Sequence, residues 1–250
     1  MRRHPRVICH MMSSIDGRIV VDRWPQLERL DEYETTADTY RADAWMCGRI
    51  TMEPFAGASR SEAVIARERR RKGARRADFV NKSARGRLAV AIDPSGRLLW
   101  KKNNVDGDHV VAVLSNTVSD GYLAYLRGKG VSYLFAPARG AKRGEVNLAL
   151  ALEKLADAFG IRTLLLEGGG GINGSMLGAR LIDEVSLLVA PIADGAVGNA
   201  TTFDVATGVP ASRLALKAVE RRAGGIVWLR YRVRRKRVSR ARPRARPRRG

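Results

Sequence analysis

Residues 164–180 read LLLEGGGGINGSMLGAR, and this stretch fixes the architecture. The run Ile161 to Leu166, apolar apart from Arg162 and Thr163, reads as a strand covered on both faces of a sheet. It ends in a carboxylate, Glu167, and four glycines follow, Gly168, Gly169, Gly170 and Gly171. Beyond Ile172, Asn173 or Ser175 can cap the next helix. Glycines let backbone amides approach a ligand and a helix N-terminus adds partial positive charge, so the segment reads as an anion cradle suited to a diphosphate. Gly169, Gly171 and Gly174 also satisfy G-x-G-x-x-G, with Asp194 about 20 residues on. The motif lies two-thirds along the chain with too few strand–helix units after it, which argues against a Rossmann domain. Glu167, at the C-terminal edge of a parallel sheet beside that loop, is placed to accept hydrogen bonds from a ligand.

Working outward, strand-like and helix-like segments alternate. Arg6 to His10 is a short strand running into the turn Ser13-Ser14-Ile15-Asp16-Gly17. A helix is expected over Asp31 to Ala42 and a short apolar strand over Ala44 to Cys47. Leu88 to Ile92 reads as a strand closed by Asp93-Pro94-Ser95-Gly96, a strong turn signal. His109 to Leu114 and Val131 to Phe135 flank a helix over Asp120 to Gly128. Leu148, Leu152 and Leu155 recur at helical spacing between Asn147 and Phe159, with Gly160 as the stop. Glu184 to Ala190 is a further strand, and Arg213 to Val219 with Ile226 to Val233 form a closing hairpin around Gly224-Gly225. The sum is an α/β sandwich with a mostly parallel sheet and an antiparallel C-terminal end.

Composition narrows the class. The chain has 250 residues, 45% hydrophobic, enough for a large core, and its formal charge is +21. That charge is local: Arg234 to Gly250 carries +10 and Arg67 to Arg76 carries +6, leaving +5 elsewhere. Residues 234–250 read as a disordered Arg/Pro-rich tail able to touch nucleic acid non-specifically. Residues 67–87 read as a basic insertion or charged helix within a single domain spanning 1–233. No apolar stretch reaches the roughly 18 to 20 residues of a membrane span, and the N-terminus lacks the apolar core of a signal peptide. Cys9 and Cys47 make neither a disulfide framework nor a metal knuckle. Zinc-deaminase, P-loop, G-x-S-x-G and H-E-x-x-H patterns are absent, and His4, His10 and His109 are scattered, so no metal site is expected. A cytoplasmic enzyme without membrane contact is the expectation.

Two further segments carry chemistry. HMMSSIDGR (10–18) brings hydroxyls and a carboxylate to a sheet edge; MCGRITME (46–53) follows a strand with a glycine, an arginine and a threonine that could hold a phosphate. Together with LLLEGGGGINGSMLGARLIDEVSLLVAPI (164–192), these segments resemble, in this order, the reductase domain of riboflavin biosynthesis, over about Val7 to Phe203. The resemblance implies the dihydrofolate-reductase-like three-layer sandwich. It implies a stand-alone enzyme that uses NADPH to reduce the ribosyl group of a 5-amino-6-ribosylaminopyrimidine phosphate to ribityl. It also implies a homodimer built on the C-terminal strands. Carried over by position, Met12, Gly48, Arg49 and Thr51 would contact the cofactor. Gly168, Gly169, Gly170, Gly171, Ile172, Asn173 and Ser175 would wrap its diphosphate. Asp16 and Glu167 are the catalytic candidates, with Glu167 facing the substrate. A reductase of a pteridine or folate-like substrate on the same fold is the alternative, and a nucleic-acid-associated protein acting through its arginine clusters a more distant one.

Overall fold

In the computed structural model, residues 4–25, 31–61, 77–138, 145–205 and 209–234 are described. The 67–76 basic run and the tail from 235 lie outside them. The described part of the expected insertion, 77–87, contains no helix and is tied to the sheet by a bridge from Phe79 to Tyr133.

Ten strands among the described residues form one sheet: β1 (Arg6–Ser13), β2 (Ala44–Gly48), β3 (Leu88–Ile92), β4 (Asn104–Val105), β5 (Asp108–Leu114), β6 (Ser132–Phe135), β7 (Thr163–Leu166), β8 (Glu184–Val189), β9 (Leu214–Arg221) and β10 (Val227–Val233). Their order is β4-β5-β3-β2-β7-β1-β8-β10-β9, with β6 also on β5. The inner strands pair in parallel, β5 on β3, β3 on β2, β2 on β7, β7 on β1 and β1 on β8. Beyond β8 the pairing turns antiparallel through β10 and β9, the expected closing hairpin. The two-residue β4 had no sequence signal. β1 runs three residues further than its β-branched start, because Met11, Met12 and Ser13 pair with Leu187, Leu188 and Val189.

Among the described residues five α-helices cover both faces: α1 (Asp31–Asp38), α2 (Arg49–Ala56), α3 (Asp120–Lys129), α4 (Leu148–Phe159) and α5 (Gly170–Gly178). Strand side chains alternate between faces, so the central strands feed two cores. Ala151, Leu152 and Leu155 of α4 and Met176 of α5 pack with Val7, Met46, Val90 and Leu164 on one side. Met52 of α2 and Tyr122, Leu123 and Leu126 of α3 pack with Ile8, Ala89, Val110 and Leu165 on the other. Ser119 and Asn147 cap α3 and α4 through their side chains, and Gly130 and Gly160 close them in the left-handed conformation. Among the described residues no helix is long and apolar enough to cross a membrane, and no cluster of His, Cys, Asp or Glu could hold a metal.

This topology sets the site. The parallel strands β1, β2 and β7 end together, and the connections leaving them are Ser14 to Gly17, Gly48 into α2, and Glu167 into α5. Ligands of open α/β sheets bind at this carboxyl edge.

Candidate active site

The Gly-rich loop is built by close approach. Gly168 adopts φ +98°, and a Cβ there would lie 2.9 Å from the Met11 methyl. The Gly168–Gly169 peptide is cis. The loop is stitched to the end of β2: Gly48 N donates to Gly168 O at 2.8 Å, and Gly169 N donates to Thr51 Oγ1 at 2.9 Å. Glu167 N donates to Met46 O at 2.9 Å. Gly48, Thr51 and the glycine loop, far apart in sequence, thus lie side by side.

α5 begins at Gly170 with Gly169 as its N-cap and no side chain capping it. The expectation that Asn173 or Ser175 caps the helix is therefore corrected. The chain turns into the helix directly after the glycines, which leaves both residues within it. Asn173 is fully buried and donates Nδ2 to Thr202 O at 2.9 Å, pinning α5 to the 199–204 loop. Ser175 is exposed and bonds back to Gly171 O at 2.8 Å. The first N–H groups of α5, at Gly170, Gly171 and Ile172, have no acceptor within their own helix, leaving a positive terminus at the mouth. Gly171 is exposed and a Cβ there would meet nothing within 4 Å. Gly170 and Gly174 face inward, where a Cβ would strike Asp204 Oδ2 at 2.2 Å and Asp204 O at 2.1 Å. The glycines accordingly divide between an outer surface for a ligand and an inner surface for packing.

Arg49, at the start of α2, is paired with Glu53 at 3.0 Å. Met12 is buried on β1 beside Leu188. Asp16 acts through the backbone: its carboxylate accepts from Ser14 Oγ at 2.6 Å, Asp194 N at 3.1 Å and Gly195 N at 2.9 Å. The Ser14 hydroxyl and these two amides hold it down at about 2. It ties the turn after β1 to the loop after β8 as a fixed anion. Asp194, which follows the G-x-G-x-x-G match by about 20 residues, accepts from Trp24 Nε1 at 2.8 Å.

Glu167 is different in kind. It lines a cleft of about 410 Å³ together with Tyr33, Glu34, Trp45, Phe55 and Arg87, among others. Burial pushes its carboxyl up to about 8, and the Glu34 charge adds to the rise. Glu167 thus holds its proton more firmly than an exposed glutamate does, and it faces a cleft that Thr51 also lines. Sequence reasoning missed the cleft's other walls. Arg87 and Asp108 pair at 2.7 Å, and Trp45 Nε1 donates to the same Asp108 Oδ2 at 2.8 Å. No motif carries these residues, and only the sheet order brings them to Glu167.

Known proteins share the sequence family and the fold. A 59-residue segment is 44% identical to the 2,5-diamino-6-ribosylamino-4(3H)-pyrimidinone 5′-phosphate reductase of Methanothermobacter thermautotrophicus. It spans 24% of this chain and 27% of that protein. The fold superposes on a pyrimidine reductase-like protein of Corynebacterium diphtheriae with a TM-score of 0.66 and 17% identity over 92% of each chain. It superposes on RibD of Acinetobacter baumannii with a TM-score of 0.62 and 19% identity, over 93% of this chain and 59% of that one. The riboflavin biosynthesis reductase of Saccharomyces cerevisiae gives 0.56 and 13% over 94% and 92%. At these identities the structural likeness establishes the fold, which is the expected dihydrofolate-reductase-like sandwich. The family described as the RibD C-terminal domain matches residues 5–228, and the chain belongs to that family.

Proposed function

We propose that the protein is an NADPH-dependent reductase of riboflavin biosynthesis, reducing the ribosyl group of a 5-amino-6-ribosylaminopyrimidine phosphate to a ribityl chain. The observation that carries this reading is the juxtaposition of the uncapped α5 terminus, bordered by Gly48 and Thr51, with Glu167 in the adjoining cleft. Membership of the family and the name of the curated relative support the substrate class.

The residues present fit a dinucleotide. The amides of Gly170, Gly171 and Ile172 would receive its diphosphate, the open space over Gly171 admits it, and the Thr51 hydroxyl borders the same surface. When bound, the cofactor supplies a hydride. Arg49 is the cation offered to a 2′-phosphate, which favours NADPH over NADH. The chain's own contribution is position and proton. Ring-opened ribosylamine presents a C=N carbon, and reduction adds hydride to carbon and a proton to nitrogen. Glu167 delivers that proton from its carboxyl into the cleft, a donor near the working pH. Asp16, an anion with three donors, shapes the turn at the pocket's edge.

A homodimer forms through the sheet face of β9 and β10 in this proposal. Register places Leu214, Leu216 and Val219 on one face with Val227, Leu229 and Tyr231, and Leu216 and Val219 are 58% and 55% exposed. Such a continuous apolar patch marks an interaction surface. The enzyme is cytoplasmic in this reading, and the Arg-rich tail makes at most non-specific, salt-dependent contact with nucleic acid.

Thermal denaturation with saturating NADPH, with NADH and with no nucleotide tests the cofactor assignment. NADPH raises the midpoint by several degrees and NADH by less, since a ligand of the folded state stabilises by RT ln(1 + [L]/Kd). No shift with either nucleotide refutes the reductase reading.

A further inference from the structure

Glu167 does not stand alone in its cleft. The titratable and charged groups facing it are Glu34 and Tyr33 from α1, Cys47 from β2, Arg87 ahead of β3, Asp106 from the β4–β5 turn and Asp108 at the start of β5. Three carboxyls therefore share the cleft with Glu167 against one guanidinium. That guanidinium is already matched, because Arg87 Nε is held by Asp108 Oδ2 at 2.7 Å. Ionising Glu167 would add a further anion to a partly enclosed space with no unmatched cation among these groups.

The position of Glu34 is fixed by its neighbour. Tyr33 Oη donates to His10 O at 3.1 Å, and His10 Nε2 lies 3.1 Å from Tyr33 O. The two rings pack with centroids 4.6 Å apart. His10 is itself fully buried, with Nδ1 2.9 Å from Ser186 Oγ on β8. These reciprocal contacts dock α1 on β1 and place the next residue, Glu34, on the wall of the cleft, where it is also exposed to solvent.

We propose that Glu34 is a positioning residue for the reaction: docked by the His10–Tyr33 pair, it faces Glu167 across the cleft and keeps the transferable proton on Glu167. This rests on Glu167 being the proton donor. Like charges brought close cannot both ionise cheaply, so an anion at 34 favours the neutral acid at 167. A lone acid in the same cleft would hold its proton less firmly in the pH range where the enzyme works.

The test is a carbon-13 carboxyl NMR titration of the full chain labelled at glutamate, with the Glu167 resonance identified by its loss in Glu167→Gln. Glu34→Gln lowers the Glu167 midpoint by about half a pH unit, the charge of a solvent-exposed carboxylate being partly screened. Glu34→Asp restores part of the shift. Tyr33→Phe, which removes only the hydroxyl that grips His10 O, moves the midpoint in the same direction by less. In turnover, the alkaline limb of the kcat profile moves down by the same amount in Glu34→Gln, while thermal midpoints stay near the parent. An unmoved Glu167 midpoint in Glu34→Gln, with Glu167→Gln still inactive, overturns the role of Glu34 and leaves the donor assignment standing. Parent-like turnover in Glu167→Gln overturns the donor assignment and this proposal with it.

Discussion

Two glycines three positions apart on one helix should respond to the same substitution in opposite ways. At Gly174 an alanine Cβ would sit 2.1 Å from Asp204 O and 2.6 Å from its carbonyl carbon. The obstacle is backbone, and that backbone is held. Asp204 N donates to Gly170 O at 3.0 Å, and the Asp204 carboxylate accepts from Thr201 Oγ1 at 2.7 Å. Relief requires moving the 201–204 loop off α5, which costs about 1–3 kcal/mol as overpacking and about 1 kcal/mol for a weakened hydrogen bond. Alanine recovers about 1 kcal/mol of helix propensity. Gly174→Ala should therefore lose about 1–3 kcal/mol. At Gly171 nothing lies within 4 Å, so Gly171→Ala keeps or slightly raises stability. Its methyl group would nevertheless occupy the space assigned to the cofactor diphosphate. NADPH affinity should fall about tenfold or more, equivalent to about 1.4 kcal/mol. Urea denaturation at constant m-value and fluorescence titration with NADPH read the two effects separately. Parent-like stability in Gly174→Ala would refute the packing argument, and parent-like NADPH affinity in Gly171→Ala would refute the cradle.

Further outcomes follow from charge and burial. Because the folded-state value of Glu167 is raised from 4.5 to about 8, its contribution is fully present below 4.5 and is lost as pH rises toward 8. Glu167→Gln should thus be inactive yet more stable than the parent at pH 8, by on the order of 2 kcal/mol after allowing for its partial exposure; equal loss of activity and stability would remove it from the active site. His10 is held neutral by burial, with a value lowered from 6.5 to about 4. Its contribution is full above 6.5 and is lost as pH falls toward 4, by on the order of 3 kcal/mol at most, and His10→Gln should flatten urea-unfolding stability across that window. For Asp16, lowered from 3.8 to about 2, the contribution is present above 3.8 and lost toward 2. Asp16→Asn should therefore melt below the parent at neutral pH, with the gap closing in that acid window. Leu216→Asp with Val219→Asp should convert a dimer to monomer in light scattering, and an unchanged mass would move the interface elsewhere.

The parts legible in sequence were those with a local physical signature. The apolar run into β7, the glycines behind it and the Gly48–Thr51 segment each announce their conformation within a few residues. The three segments also lie on neighbouring strands β1, β2 and β7, which is why their co-occurrence pointed to one site. Cap chemistry misled, since Asn173 and Ser175 are good N-cap residues, but the backbone had already entered the helix at Gly170 and buried Asn173 against Thr202. The acid cleft was invisible because it is assembled by non-local pairing. Trp45 meets Asp108 across 63 positions, and Tyr33 meets His10 through a buried contact that neither hydropathy nor spacing reveals. Asp16 and Glu167 looked alike as carboxylates at a sheet edge. Only their surroundings, three donors for one and a partly enclosed acidic cleft for the other, separate an anchor from an acid.

The most direct measurement is the loss of reduced-nicotinamide absorbance when the purified chain, NADPH and 2,5-diamino-6-ribosylamino-4(3H)-pyrimidinone 5′-phosphate are mixed. The expected result is turnover that requires all three components, yields the ribityl product and disappears in Glu167→Gln. NADPH left unoxidised by that substrate and by its deaminated 5-amino-uracil counterpart, in a chain that binds NADPH, would contradict the assignment.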